Sequence, residues 1–375
     1  MPDDEWGSES DQRDTARADD GESTVSGDQS QGRHGTIAHS VEDPSGPGPN
    51  GQWDPIQRVF GTSEDLYDIA TWDVRSRLDR FAVTLTGGLQ KTRKWTLISI
   101  AAVLFFAQTA VIALFVLEEP VLGALGAISI LPALALAAYL WFDDPTRREP
   151  LEPMAVTFLL SILFASFAAI VNTVMSPIFG FIPIVGLPLY FFLVVAPIEE
   201  TVKWASIRIH AYKDDRFDAV IDGVVYGAIA GLGFAAIENF IYIINIYSAA
   251  APAGAAAQLE GASQTAYVRA FVGPGHVIYS AFAGYYLGLA KFNPDNRGPI
   301  VVKGLLIAVF IHALYNTLVS TLPLTSVTLA LFLLVYVGFW LGVLYRKVAR
   351  YKHYYRRAQT SGDADQRANQ RDDGW

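Results

Sequence analysis

Apolar runs separated by short polar breaks dominate the chain from residue 95 onward. A helix needs about 20 apolar residues to cross a bilayer. Eight runs meet that requirement: 95–117, 121–142, 154–175, about 184–207, about 220–248, about 268–290, about 300–320 and about 324–345. The breaks alternate in charge. Lys91, Arg93 and Lys94 precede the first run, Arg147 and Arg148 follow the second, and Lys203, Arg208, Lys213 and Arg216 close the fourth. Lys291, Arg297 and Lys303 lie between the sixth and seventh, and Arg346, Lys347, Arg350, Lys352, Arg356 and Arg357 follow the eighth. The intervening breaks, including an Ala-rich loop at 249–266, hold almost nothing basic, Arg269 being the exception. Basic residues concentrate on the cytoplasmic side of membranes. The pattern therefore predicts an all-α polytopic helix bundle in the cell membrane, with about eight transmembrane helices at 95–346 and both termini cytoplasmic.

The flanks read differently. Leu66, Ile69, Trp72, Val74 and Leu78 form an apolar stripe within 63–90, so the cytoplasmic segment 56–94 is expected to hold an amphipathic helix along the membrane or a packed linker helix. Residues 1–50 carry twelve acids against Arg13, Arg17 and Arg33 and are rich in Ser and Gly, so 1–55 is expected to be a disordered acidic tail. Residues 347–375 turn from basic to acidic and read as a second cytoplasmic tail. No secretory signal peptide is expected, because the N-terminus has no apolar core. The absence of cysteine excludes disulfides and thiolate metal sites, so any metal must be held by His, Asp or Glu.

Charges inside a bilayer cost at least about 2.5–3.5 kcal/mol each on insertion scales. Few are present, and they fall, with two asparagines, in the fourth to seventh spans. Glu199, Glu200 and Lys203 lie in the fourth; Asp222, Glu238 and Asn239 in the fifth; His276 in the sixth; His312 and Asn316 in the seventh. Asp222 reads as a helix-start residue near the surface. Lys203 is i+4 from Glu199 and shares its face, so it reads as the partner of Glu199 or as an interfacial snorkelling lysine. The small-residue run "GAIAGLG" (227–233) permits close helix approach before Glu238. The "GPG" before His276 predicts a helix break where water enters. At ~1.5 Å per residue, Glu199, Glu238, His276 and His312 can share one level of the membrane.

Two chemistries suit such a set. His276, His312 and Glu238 are a reasonable ligand set for Zn²⁺, with another carboxylate acting on the water. Alternatively, a Glu deprotonates water directly and the His residues with Asn316 stabilise the oxyanion. Either is amide hydrolysis. Glu199 is the first candidate for general base and Glu200 for its orienter or a second ligand. No HExxH, GxGD, GxSG or Walker A motif is present, and Ser280, four residues after His276, has no GxSG around it. A proton- or cation-coupled transporter also uses midplane Glu and His, but inverted repeats, which that reading favours, are not evident.

"EETVK" (199–203), "FAAIEN" (234–239), the His of "GPGHVIYSAFAGYYLG" (273–288) and "HALYN" (312–316) resemble the motifs of the PrsW family of intramembrane proteases. The family is distantly similar to CAAX prenyl endopeptidases and bacteriocin-processing enzymes, in which a His stands where this chain has Glu238. The resemblance covers about 150–346. It implies a site-1-type protease acting on membrane-associated protein substrates. It also implies catalytic roles at Glu199, Glu200, Lys203, Glu238, His276, His312 and Asn316. The partners expected are such a substrate and the lipid bilayer, with no nucleic acid.

Overall fold

A computed structural model describes residues 53–61, 63–89, 95–323 and 326–372. The acidic stretch 1–50 and the basic residues 91–94 lie outside these. Among the described residues the protein is helical and has no strand. The helices are α1 (Pro55–Phe60), α2 (Arg77–Leu89), α3 (Trp95–Glu118), α4 (Pro120–Phe142), α5 (Leu151–Gly180), α6 (Gly186–Tyr190), α7 (Ala196–Ile209), α8 (Asp222–Ala249), α9 (Ala255–Lys291), α10 (Arg297–Thr321) and α11 (Ser326–Asp372). A π-helical turn, Phe191–Val195, joins α6 to α7.

Eight helical segments follow the eight apolar runs. Among the described residues five of them, α4, α5, α8, α10 and the 327–361 part of α11, are long and apolar enough to cross a membrane. The fourth run is instead split by the π turn. The sixth belongs to α9, whose early turns carry Gln258, Glu260, Gln264 and Arg269. The chain is an all-α, multi-pass membrane bundle.

The central helix is α8, of whose apolar window 78% is buried, against 17% for that of α11. It lies against α9 at van der Waals distance because of glycine. A Cβ at Gly227 or Gly231 would collide with the carbonyl oxygens of Ser280 or His276. The small-residue run thus does what the sequence suggests: two backbones meet directly. The contact sets Glu238, two turns beyond Gly231, alongside His276.

Three local expectations change. Only Arg77–Leu89 of the 63–90 stretch is helical. The preceding part is an irregular strap in which Asp68 takes a left-handed conformation (φ 61°), as Asp tolerates in turns. Three of its apolar residues are nevertheless core, Leu66, Ile69 and Trp72 being 1–2% exposed, whereas Val74 is exposed. Asp68 accepts hydrogen bonds from Lys347 (2.8 Å) and Lys303 (3.2 Å), which bind the strap to α11 and α10. The Ala-rich 249–266 stretch is mostly not a loop, since α9 starts at Ala255, as the helix propensity of Ala favours. Nor does "GPG" break the chain, because α9 runs through Pro274 without interruption.

On the side where the α4–α5 and α7–α8 connections lie, Asp54 caps α1 by accepting from the Ile56 amide (2.9 Å). It also takes the Tyr351 hydroxyl (2.9 Å) and the Val220 amide (3.2 Å). Burial pushes its carboxyl up to about 6. Asp222 does start α8, but it is fully buried rather than near the surface.

Candidate active site

The site begins with Pro197 in the first turn of α7. Proline has no N–H to give the preceding turn, and its ring crowds the carbonyl four residues back. The backbone ahead of it widens into the π turn, a feature that recurs at functional positions. The next turn carries Glu199 and Glu200. They are ~100° apart around the helix, yet both are buried, at 4% and 0% exposure. Glu199 faces α5 and α10; Glu200 faces α9 and α10.

Lys203 is fully buried and pairs with Glu200, not with Glu199 as the i,i+4 spacing suggests. Its Nζ lies 2.7 Å from Glu200 Oε1. The same Nζ donates to His276 Nδ1 (3.0 Å) and sits 4.2 Å from the centre of the Phe234 ring. Glu200 Oε1 also receives His312 Nδ1 (2.9 Å), and the Ser280 hydroxyl lies 3.5 Å from Glu200 Oε2. The His312 ring stacks on Tyr279 at 5.1 Å. The polar set of four helices is therefore one connected network, and Glu200 with Lys203 forms its centre.

These contacts assign the ring hydrogens. An ammonium only donates, so His276 Nδ1 accepts and its Nε2–H points to Glu238 Oε2, 2.8 Å away. A carboxylate only accepts, so His312 Nδ1 carries hydrogen and its Nε2 offers a lone pair. That lone pair faces Glu199 Oε2 at 3.7 Å. The other oxygen of Glu199 is held by Asn172 Nδ2 (3.0 Å), whose own backbone carbonyl accepts from the Tyr190 hydroxyl (2.8 Å). Glu199 Oε2 is buried without a donor among the described residues.

Glu238 is bound on its other side by Arg269, the basic residue that departs from the charge pattern of the breaks. Arg269 Nε also donates to Asn239 Oδ1 (2.7 Å), and Asn239 Nδ2 donates to Ser129 Oγ (2.9 Å). Asn239 thus serves Arg269 rather than the centre. A cavity of about 590 Å³ opens onto Glu199, Glu238, His276 and His312. Asn316, Asn172, Thr173, Asn245, Gln264 and Tyr315 share its wall, so it is lined in part by groups that hydrogen-bond water or a peptide.

The residues fit a divalent metal, but not as the sequence suggests. The donor atoms that converge, all within 4.8 Å of one another, belong to Glu199, His276 and His312. Glu238, expected as a ligand, is engaged by Arg269 and by His276. The unpartnered Glu199 oxygen and the lone pair of His312 Nε2 are the two donors already free to coordinate. Asn172, Tyr190 and Arg269 escape motif reasoning. The first two are neutral and sit in apolar context, and Arg269 reads as a misplaced loop charge.

Residues 149–343 match the family described as PrsW family intramembrane metalloprotease. The chain is similar to Protease PrsW of Geobacillus kaustophilus, 30% identical over 229 residues that make up 60% of this chain and 92% of that protein. Protease PrsW of Oceanobacillus iheyensis is 28% identical over 218 residues (58% and 91%), and that of Bacillus subtilis 28% over 197 (52% and 81%). No solved structure matches the chain. The matched region spans α5 to α11 and takes in all four motifs in order, on α7, α8, α9 and α10. The chain is therefore a multi-pass membrane peptidase and belongs to the PrsW family of intramembrane proteases.

Proposed function

We propose that this protein hydrolyses peptide bonds of membrane-associated proteins, as a site-1-type step of regulated proteolysis, with Glu199 as the general base. The observation that carries the reading is the buried, donor-free Oε2 of Glu199 beside the lone pair of His312 Nε2, on the wall of a cavity large enough for a peptide segment. A base must reach the proton that it abstracts. Asn172 holds one Glu199 oxygen and leaves the other for a water.

The surrounding groups position. Glu200, charge-balanced by Lys203, fixes the tautomer of His312. Glu238, balanced by Arg269, holds the Nε2–H of His276. In this reading Asn316, on the same wall, donates to the oxyanion that forms as water adds to the scissile carbonyl. The proton taken by Glu199 passes to the leaving amine.

In an ion-loaded form Glu199, His276 and His312 would hold the divalent ion, with Glu199 then a ligand rather than a free base, and the mixed N and O donor set suits Zn²⁺. When bound, such an ion polarises the carbonyl and lowers the pKa of water. His276 joins that set only if its hydrogen moves from Nε2 to Nδ1, where it meets Lys203, so Lys203 must then turn away or release a proton. The test pairs cleavage of a single-pass peptide in proteoliposomes with metal analysis of the same samples. His276→Ala and His312→Ala are expected to lose bound Zn²⁺ and cleavage together, and Asn316→Ala to keep the metal with slower cleavage. Wild-type protein that is metal-free, resists chelators and remains fully active would remove the ion and leave Glu199 acting alone.

A further inference from the structure

A second cluster lies well away from the motifs, where the α4–α5 connection meets the start of α8. Asp144, Glu149 and Asp222 each present a carboxylate oxygen, and the three oxygens lie within 4.8 Å of one another. Asp222 is fully buried and Glu149 is 2% exposed. Among the described residues none of the three forms an ion pair; Lys352 in this region is taken by Asp143 (2.5 Å).

The oxygens differ in how they are satisfied. Asp222 Oδ2 accepts from the Asp218 and Ala219 amides (2.7 and 2.8 Å). The Thr146 hydroxyl bridges Asp144 Oδ1 (2.7 Å) and Asp222 Oδ1 (3.3 Å). By contrast, both Glu149 oxygens and Asp144 Oδ2 are buried with no donor. The Tyr226 hydroxyl is near Glu149 but out of hydrogen-bonding geometry. Three acids crowded together with unpartnered oxygens lack a positive partner, and buried charges are otherwise paired or bound to metal.

We propose that Asp144, Glu149 and Asp222 bind a hard divalent cation, Mg²⁺ or Ca²⁺, that staples the α4–α5 connection to the first turn of α8. Every donor here is oxygen, the chemistry of such ions. The centre at Glu199 has two imidazoles, so the two sites differ in the metal they select. The staple acts on the helix that carries Glu238, and its role is structural.

Trp141 supplies the probe, because its Nε1 donates to the Glu149 carbonyl (3.0 Å) and its indole is next to the cluster. Full-length chain in nanodiscs, stripped with chelator, is titrated with Tb³⁺ and read by indole-sensitised luminescence. The expected result is a saturable signal displaced by Ca²⁺ or Mg²⁺. Glu149→Gln should weaken it at least tenfold, and Asp295→Asn, at an exposed acid between α9 and α10, should leave it unchanged. Should Glu149→Gln fail to fold, Asp144→Asn must show the same loss. Ca²⁺ should raise the unfolding temperature of the wild type and not of these variants. No saturable signal, or equal affinity in Glu149→Gln, would overturn the proposal and leave carboxylates that share protons.

Discussion

Lys203 carries the most consequence of any single side chain outside the base itself. It neutralises Glu200, donates to His276 and sits over Phe234, all with no exposure to solvent. Removing one partner of a buried ion pair leaves an uncompensated charge and costs about 3–5 kcal/mol, whereas replacing both is often neutral. Lys203→Met is therefore expected to lose about 3–5 kcal/mol of stability and most activity. Lys203→Met with Glu200→Met should regain stability in thermal unfolding but not cleavage, since His312 then loses the acceptor that fixes its tautomer. Activity in the double variant would show that Glu200 does not orient the ring. Most of this centre is legible in the sequence, because a charge inside an apolar run needs an explanation and Glu199, Glu200, Lys203, Glu238, His276 and His312 all lie in such runs. The pairing is not. Spacing on α7 allows Lys203 to meet Glu199 or Glu200, and only α9 and α10, packed against the second, decide between them.

At the level of helices, the α8–α9 contact sets the geometry of the site. Gly227 and Gly231 leave no room for a side chain against the α9 backbone. Gly231→Val is expected to push α8 from α9 at the level of His276, break the 2.8 Å contact between Glu238 and His276 and abolish cleavage. Limited proteolysis or unfolding of the same variant would show a loosened bundle. Wild-type activity in Gly231→Val would mean that this approach does not position Glu238. The glycine run announces the contact in the sequence because small residues four apart share a helix face and let a second backbone approach it. The π turn before α7 is harder to foresee. Pro197 signals a disturbance, but whether it becomes a kink, a break or a π turn depends on what packs around Phe191–Val195. The strap at 63–76 misleads for a related reason: its apolar spacing fits a helix, but Asp68, bound by Lys303 and Lys347, holds it in another shape.

For the whole molecule, the charge pattern assigns sides. Both tails, the α4–α5 connection and the α7–α8 connection are expected in the cytoplasm, with the start of α9 outside. The chain has no cysteine, so single introduced thiols report cleanly. A membrane-impermeant thiol reagent on intact cells should label Ala256→Cys and spare Arg147→Cys. The reverse would invert the orientation, and labelling of both would mean a miscounted span. In this orientation Glu199, Glu238, His276 and His312 are expected inside the membrane, reaching water through the cavity between α5, α8, α9 and α10. The claim on which the account stands is that Glu199 activates that water. The direct measurement is the cleavage rate of a single-pass substrate in proteoliposomes, wild type against Glu199→Gln, with folding matched by thermal unfolding. The account predicts a fall of about 10²–10⁴-fold in Glu199→Gln at unchanged stability; an unchanged rate would contradict it.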